Sequence, residues 1–269
     1  MKKILYGSTA IVAASMILSS PTAMAAEKLK LKVGGYMEQW VGFTSQDDGV
    51  SEDYSGFSTV SDGEIHFKGK TKLDNGITIG VNVQLEAQHG GDQIDEHDME
   101  VGGGFGKIVL GTDDDASDSY GIDEMDIVAE EPTSSHASAT ISQSSSIASS
   151  DAMKIAYHLP AMGGLTTGIS FADSGAAGGS DKTAYGLKYS LSAGGADVSI
   201  GYRASSTEAS AVDTDESNLG VKVASGDISM ILSTGKYEGD DEDRDNTGVG
   251  VSFAMPNGMT LGAYTFKST

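Results

Sequence analysis

The residues whose types and spacing could do chemistry are, first, carboxylates. Asp113, Asp114, Asp115, Asp118, Asp123, Glu124, Asp126, Glu130 and Glu131 crowd into one stretch of the chain. Hard cations take oxygen ligands, so Asp113, Asp114 and Asp115 form a candidate Ca2+ site, although the ligand spacing of a helix-loop-helix calcium loop is absent. A second set is basic. Lys28, Lys30 and Lys32, and again Lys68, Lys70 and Lys72, recur at every second residue, which in an extended chain puts each trio on one face. The histidines His66, His89, His97, His136 and His158 are scattered. His89 and His97 flank an acidic turn and could hold a metal weakly, but no His-x-x-x-His pair or nucleophile elbow occurs, and the chain is read as a non-enzyme. Gly102-Gly103-Gly104-Phe105-Gly106 lacks the following Lys-Ser/Thr of a phosphate loop and is read as a tight turn. With no Cys, thiolate metal sites and disulfides are excluded, and no cofactor is implied apart from the Ca2+ candidate.

The elements that must carry these groups are strands. From Glu64 to Leu73 the apolar or small residues Ile65, Phe67, Gly69, Thr71 and Leu73 alternate with Glu64, His66, Lys68, Lys70 and Lys72. Asp74-Asn75-Gly76 follows, and Asn-Gly predicts a type I′ turn. In the return strand Ile77, Ile79, Val81, Val83, Leu85 and Ala87 share one face. Similar hairpins turn at Met162-Gly163-Gly164, Ala193-Gly194-Gly195, Ser225-Gly226-Asp227 and Pro256-Asn257-Gly258. Between them lie acidic or Ser-rich segments, residues 46–58, 174–181, 205–215 and 238–245, so short turns alternate with long loops. Residues 113–150 stand apart as a long segment without alternation, inserted after a strand at 106–111; a loop of this length is functional or disordered. Tyr36, Trp40, Phe43, Tyr157, Tyr185, Tyr202, Phe253, Tyr264 and Phe266 could form aromatic girdles at two membrane interfaces. About thirteen strands are visible.

Lys2-Lys3, an apolar run from Ile4 to Leu18 and the small-x-small site Ala23-Met24-Ala25 read as a secretory signal peptide over residues 1–25, leaving 26–269 as the mature domain. Without Lys2 and Lys3, the 17 basic residues fall to 15 against 39 acidic, a net charge of −24. Nucleic acid is therefore excluded as a partner, since it demands a basic surface. A chain that is 38% hydrophobic is too polar for a helical membrane protein, yet it is exported. A transmembrane antiparallel β-barrel reconciles the two, because only alternate residues face lipid. The alternative from another class is a secreted or surface-attached soluble β-sandwich, an adhesin or binding protein that buries its apolar faces against each other.

The opening strand Lys32-Val33-Gly34-Gly35-Tyr36-Met37-Glu38-Gln39-Trp40, the hairpin Leu73-Asp74-Asn75-Gly76-Ile77-Thr78, and Gly103-Gly104-Phe105-Gly106-Lys107-Ile108-Val109-Leu110-Gly111 leading into the acidic loop resemble the Gram-negative general porins, in their alphaproteobacterial form. The resemblance covers nearly all of the mature chain. It implies a sixteen-stranded barrel and a homotrimer in the outer membrane, in contact with lipid and lipopolysaccharide. Passive diffusion of small polar solutes and ions through a water-filled channel is the implied function.

It also implies that residues 113–150 are a third loop folded into the barrel. The acids Asp113, Asp114, Asp115, Asp118, Asp123, Glu124 and Asp126 would form a constriction opposite the wall lysines Lys32, Lys68, Lys70 and Lys72. Such a transverse field selects ions by rings of side chains rather than by dehydration. The bland readings stand beside it: a solvated face or periplasmic rim for Lys28 and Lys30, and an exposed loop for the acids. The acid excess hints at cation preference. One departure is the strand count, odd where bacterial single-chain barrels are even, with the chain stopping at Phe266-Lys267-Ser268-Thr269; it is read as loss of roughly three C-terminal strands.

Overall fold

The computed structural model describes residues 29–45, 55–86, 94–127, 152–173, 179–209, 213–239 and 243–269. Within them run thirteen strands: β1 Lys30–Ser45, β2 Ser55–Lys72, β3 Thr78–Glu86, β4 Ile94–Gly103, β5 Gly106–Thr112, β6 Met153–His158, β7 Leu165–Asp173, β8 Asp181–Ala193, β9 Ala196–Glu208, β10 Thr214–Ser225, β11 Ile228–Gly239, β12 Asp243–Ala254 and β13 Thr260–Ser268. Each pairs antiparallel with its neighbour in sequence, giving one sheet in the order β1 to β13. Two one-turn 3-10 helices, Asp118–Tyr120 and Glu124–Ile127, lie in the segment after β5. No described helix is long and apolar enough to cross a membrane, a test that does not apply to strands.

The two faces of the sheet are chemically opposite. A continuous apolar row crosses five strands on the outside, Tyr189 to Ile200 to Val221 to Leu232 to Val249, each opposite the next in register. Four of these large side chains are exposed, Leu232 at 58% and Val249 at 40%, and Val221 is half-buried. In water such a surface would be a severe liability; against lipid it is the element that must face outward. The chain is thus a transmembrane antiparallel β-barrel protein, in which the polar residues of each strand point to the lumen. Buried side chains are found mainly where the segment after β5 meets that inner wall, as in the cluster of Ile122, Ile127 and Ile231 with Tyr264 packed against it.

Connections alternate in length with strict regularity. Tight turns join β2 to β3, β4 to β5, β6 to β7, β8 to β9, β10 to β11 and β12 to β13, all at one end of the sheet. The Asn-Gly turn after β2 differs from the predicted type I′, because no non-glycine residue has positive φ and only Gly76 does, at +86°. Leu73 N donates to Ile77 O at 2.7 Å and Gly76 N to Leu73 O at 2.9 Å, closing a three-residue loop, while Asn75 Oδ1 accepts from Ile77 N. The loop of Pro256-Asn257-Gly258 repeats this geometry with Gly258 at +86°. The Asn side chain is spent on the turn backbone instead of on a left-handed φ. Gly194 and Gly195, both at positive φ, form the two-residue turn that the primed types describe.

Strands also run further than expected at the opposite end. β9 extends to Glu208, β10 begins at Thr214 and β11 reaches Gly239, so much of 205–215 and 238–245 is sheet. Hydrogen bonding to neighbours sustains a strand beyond the lipid even where its side chains are polar on both faces. Of the aromatic residues, Tyr157, Tyr185, Tyr202 and Phe253 share the outer face with the apolar row, whereas Tyr36, Tyr264 and Phe266 face inward. Tyr36 opposes Glu64, and Tyr264 and Phe266 oppose the inner-wall glycines Gly250 and Gly248. The girdle expectation is corrected for those three by register. The side chains of Trp40 and Phe43 lie outside those described.

Candidate functional site: the loop on the inner wall

Residues 113–127 leave β5 and cross the lumen side of the later strands. Their seat is built from glycines. Gly168 faces Gly186 across β7 and β8, and Gly201 faces Gly220 across β9 and β10. A Cβ at Gly168 would meet the Tyr120 hydroxyl at 2.9 Å, one at Gly186 the Tyr120 side chain at 2.9 Å, and one at Gly250 the Glu124 carbonyl at 2.7 Å. At Gly201 and Gly220 it would strike the backbone of Tyr120 and Ile122. The missing side chains form a track in which the loop backbone lies against the wall.

Along this track successive strands each supply a polar group. Lys154 of β6 donates to the Asp113 carbonyl and lies 3.5 Å from Asp115, whose other oxygen is 2.7 Å from Lys182 of β8. Ser170 of β7 accepts from Ala116 N at 3.0 Å. Arg203 of β9 reaches Asp118 at 2.8 Å and Asp123 at 3.0 Å, one carboxylate per terminal nitrogen. Asn218 of β10 accepts from Ile122 N at 3.4 Å, and Ser233 of β11 donates to Glu124 at 2.6 Å. Tyr120 and His158 share a hydrogen bond of 2.6 Å. Buried charge is tolerated only when paired or hydrogen-bonded, and the wall provides partners one strand at a time.

This placement divides the acids. Asp115, Asp123 and Glu124 are buried, at 3%, 4% and 0% exposure, and face the wall, not the lumen water. Asp113, Asp114, Asp118 and Asp126 remain at least partly accessible. Burial first, and then the negative charges of Asp98 and Asp114, hold the Asp113 carboxyl above the usual aspartate range. Asp118 is also pushed upward by burial, against the pull of Arg203. Asp113, Asp114 and Asp115 do not share a ligand sphere, since Asp115 is turned to Lys154 and Lys182. Among the described residues the acids whose oxygens converge within 4.8 Å are instead Glu64, Glu86 and Asp95. Glu130, Glu131, His89 and His136 lie outside the described residues, as does Lys28.

On the opposite side β1 and β2 carry lysines in register: Lys30 opposes Lys70 and Lys32 opposes Lys68. All four are exposed. Strand geometry spaces such groups by about 5–7 Å, so neighbouring charges repel by about 0.7 kcal/mol per pair even in water. Across the sheet the two rungs turn from basic to acidic, Lys68 to Asn82 to Asp98 and Lys70 to Gly80 to Glu100. Lys30, Lys32, Lys68 and Lys70 line one cavity of about 620 Å³ together with Asp98, Asp113, Asp114 and Asp118. Lys72, on the same face at the turn end of β2, does not line it. Sequence reasoning missed Lys154, Lys182, Arg203, Asn218 and Ser233. The available signal was modest: the basic residues fall on the polar face of their strands, and Lys182 and Arg203 lie within a few residues of a glycine on that face, Gly186 and Gly201.

A barrel with an apolar exterior, a polar inner face, short turns at one end and a loop laid on its inner wall is the architecture of an outer-membrane channel. Comparison agrees: residues 7–269 match the family model of the Gram-negative porins, and the chain belongs to that family. Among solved structures it is similar to an anion-selective porin from Comamonas acidovorans, with a TM-score of 0.61 at 15% identity, covering 90% of this chain and 79% of that one. It is also similar to a loop-deletion variant of OmpT, an outer membrane protein of Vibrio cholerae, with a TM-score of 0.53 at 13% identity, covering 90% and 94%. At these identities the likeness concerns the fold. No curated protein matches the chain in sequence.

Proposed function

We propose that the protein is a passive diffusion channel for small hydrophilic solutes and ions, narrowed by the loop beginning at Asp113. The observation that carries this reading is the juxtaposition in one cavity of the loop acids Asp113, Asp114 and Asp118 with the lysines of β1 and β2. Charge of opposite sign on facing walls gives a transverse field that orients dipolar solutes as they pass. Asp115, Asp123 and Glu124 serve this arrangement as anchors rather than as lumen charges. Residues 1–25 are assigned as the export signal, and the mature chain as a homotrimer whose outer surface meets lipid and lipopolysaccharide. No step of bond-making chemistry is assigned to the lumen.

Single-channel recording in planar bilayers tests this reading. The purified protein is expected to give stable ohmic steps, and Arg203→Met, which leaves Asp118 and Asp123 without their cation, is expected to enlarge or destabilise them as the loop lifts. A water-soluble product without conductance would overturn the channel and favour the adhesin.

A further inference from the structure

Pairing within the lumen leaves a remainder of positive charge on one wall. Glu100 is matched by Lys107 at 2.9 Å, Asp115 by Lys182 and Lys154, and Asp118 by Arg203. Among the described residues no carboxylate lies within ion-pair distance of Lys30, Lys32, Lys68 or Lys70. Their register on β1 and β2 places them at the corners of a small quadrilateral that faces the cavity water. Beside it stands Asn82, opposite Lys68, with its side chain hydrogen-bonded to Asp98. Four ammonium groups this close repel one another until an anion sits between them. A monovalent anion offsets only part of that repulsion, whereas an oxyanion with two charges bridges several lysines at once.

We propose that Lys30, Lys32, Lys68 and Lys70 form a lumen subsite for small oxyanions carrying two negative charges, such as hydrogen phosphate or a dicarboxylate, and give the channel an anion preference. The inference rests on the channel reading. It runs against the overall charge of −22, because selectivity follows the charge at the narrow part of the lumen and not the sum over the chain. Asp115, Asp118 and Asp123 are spent on wall cations, and Asp98, Asp113 and Asp114, which line the same cavity, stand beyond ion-pair distance of the four lysines.

The test is a reversal-potential measurement in a potassium chloride gradient, followed by titration of inorganic phosphate at pH 7.5 while chloride current is recorded. The wild-type channel is expected to reverse at a potential of the anion-selective sign and to lose chloride current as phosphate rises. Lys68→Gln with Lys70→Gln is expected to require about tenfold more phosphate for the same reduction, a change of about 1.4 kcal/mol, and to shift reversal toward cations. Lys30→Gln with Lys32→Gln should do the same from the facing strand, while Lys236→Gln, outside the cavity, should leave both readings unchanged. Conducting steps that are insensitive to phosphate, or equally sensitive in the lysine variants, overturn the subsite and leave the channel intact. Absence of steps overturns the channel itself.

Discussion

Asp113 and Asp115 stand two positions apart and meet different fates. Asp115 is turned into the wall between Lys154 and Lys182, where removal of both partners would leave its charge buried and unpaired and cost several kcal/mol. Asp113 gives its carbonyl to Lys154 and keeps its carboxyl partly in the lumen, beside Asp98, Asp114 and Lys107. With its ionisation disfavoured by burial and by those two acids, Asp113 takes up a proton at a higher pH than an ordinary aspartate, near 3.9. The sign follows: its contribution to stability is complete below the ordinary value and is lost as pH rises through the raised one. Lowering the pH from neutrality is therefore expected to shift reversal potential toward anions, and Asp113→Asn should reduce that shift. An unchanged titration in the variant would assign the proton elsewhere.

At this scale the sequence told less than its acid cluster suggested. That acids gather at 113–126 is visible in the letters. Which of them remain in the lumen depends on Arg203, Lys182 and Ser233, each more than fifty residues away, and no local pattern encodes such a meeting.

Among the elements, the hairpins and the loop lie at opposite ends of legibility. The β2 to β3 hairpin could be read residue by residue because its alternation, turn and register are local. Only its turn type was misjudged, where the Asn75 side chain bonds Ile77 N in place of adopting positive φ. The glycine track was not legible, for its members sit on separate strands and look singly like loose strand positions. Gly220 is the clearest of them. A Cβ there would press on the Ile122 carbonyl group, whose carbon lies at 2.8 Å, so Gly220→Val must lift the loop. We expect this variant to lose about 1–3 kcal/mol of stability, as overpacked sites do, and to show a larger conductance. Gly34→Ala, with open space around the position, should match the wild type in thermal unfolding and in bilayer recordings. A Gly220→Val channel of normal conductance would show that the loop does not rest where the wall is bare.

For the whole molecule the deciding property is the inversion of the usual arrangement, apolar outside and polar within. It was legible because period-two alternation, few prolines and an exported chain leave few other ways to satisfy a strand backbone. The outer face makes a direct prediction. Leu232→Arg, in the apolar row, should cost up to about 2–4 kcal/mol in unfolding from lipid vesicles, the penalty of a charge on the lipid face that is largest at the bilayer midplane. In a soluble sandwich the same substitution would bear on a buried sheet interface, and lipid would make no difference to it. The strand number in the described residues remains thirteen, with β1 and β13 running in the same direction as the edges of the sheet.

One consequence concerns the order of assembly. The segment after β5 rests on β6 to β12, all of which come later in the chain. The wall can zip up hairpin by hairpin, each strand closing on the one just made, but the loop has no complete berth until seven more strands have arrived. The nascent barrel is therefore wide until late, and its narrowing marks the completion of the wall that holds it.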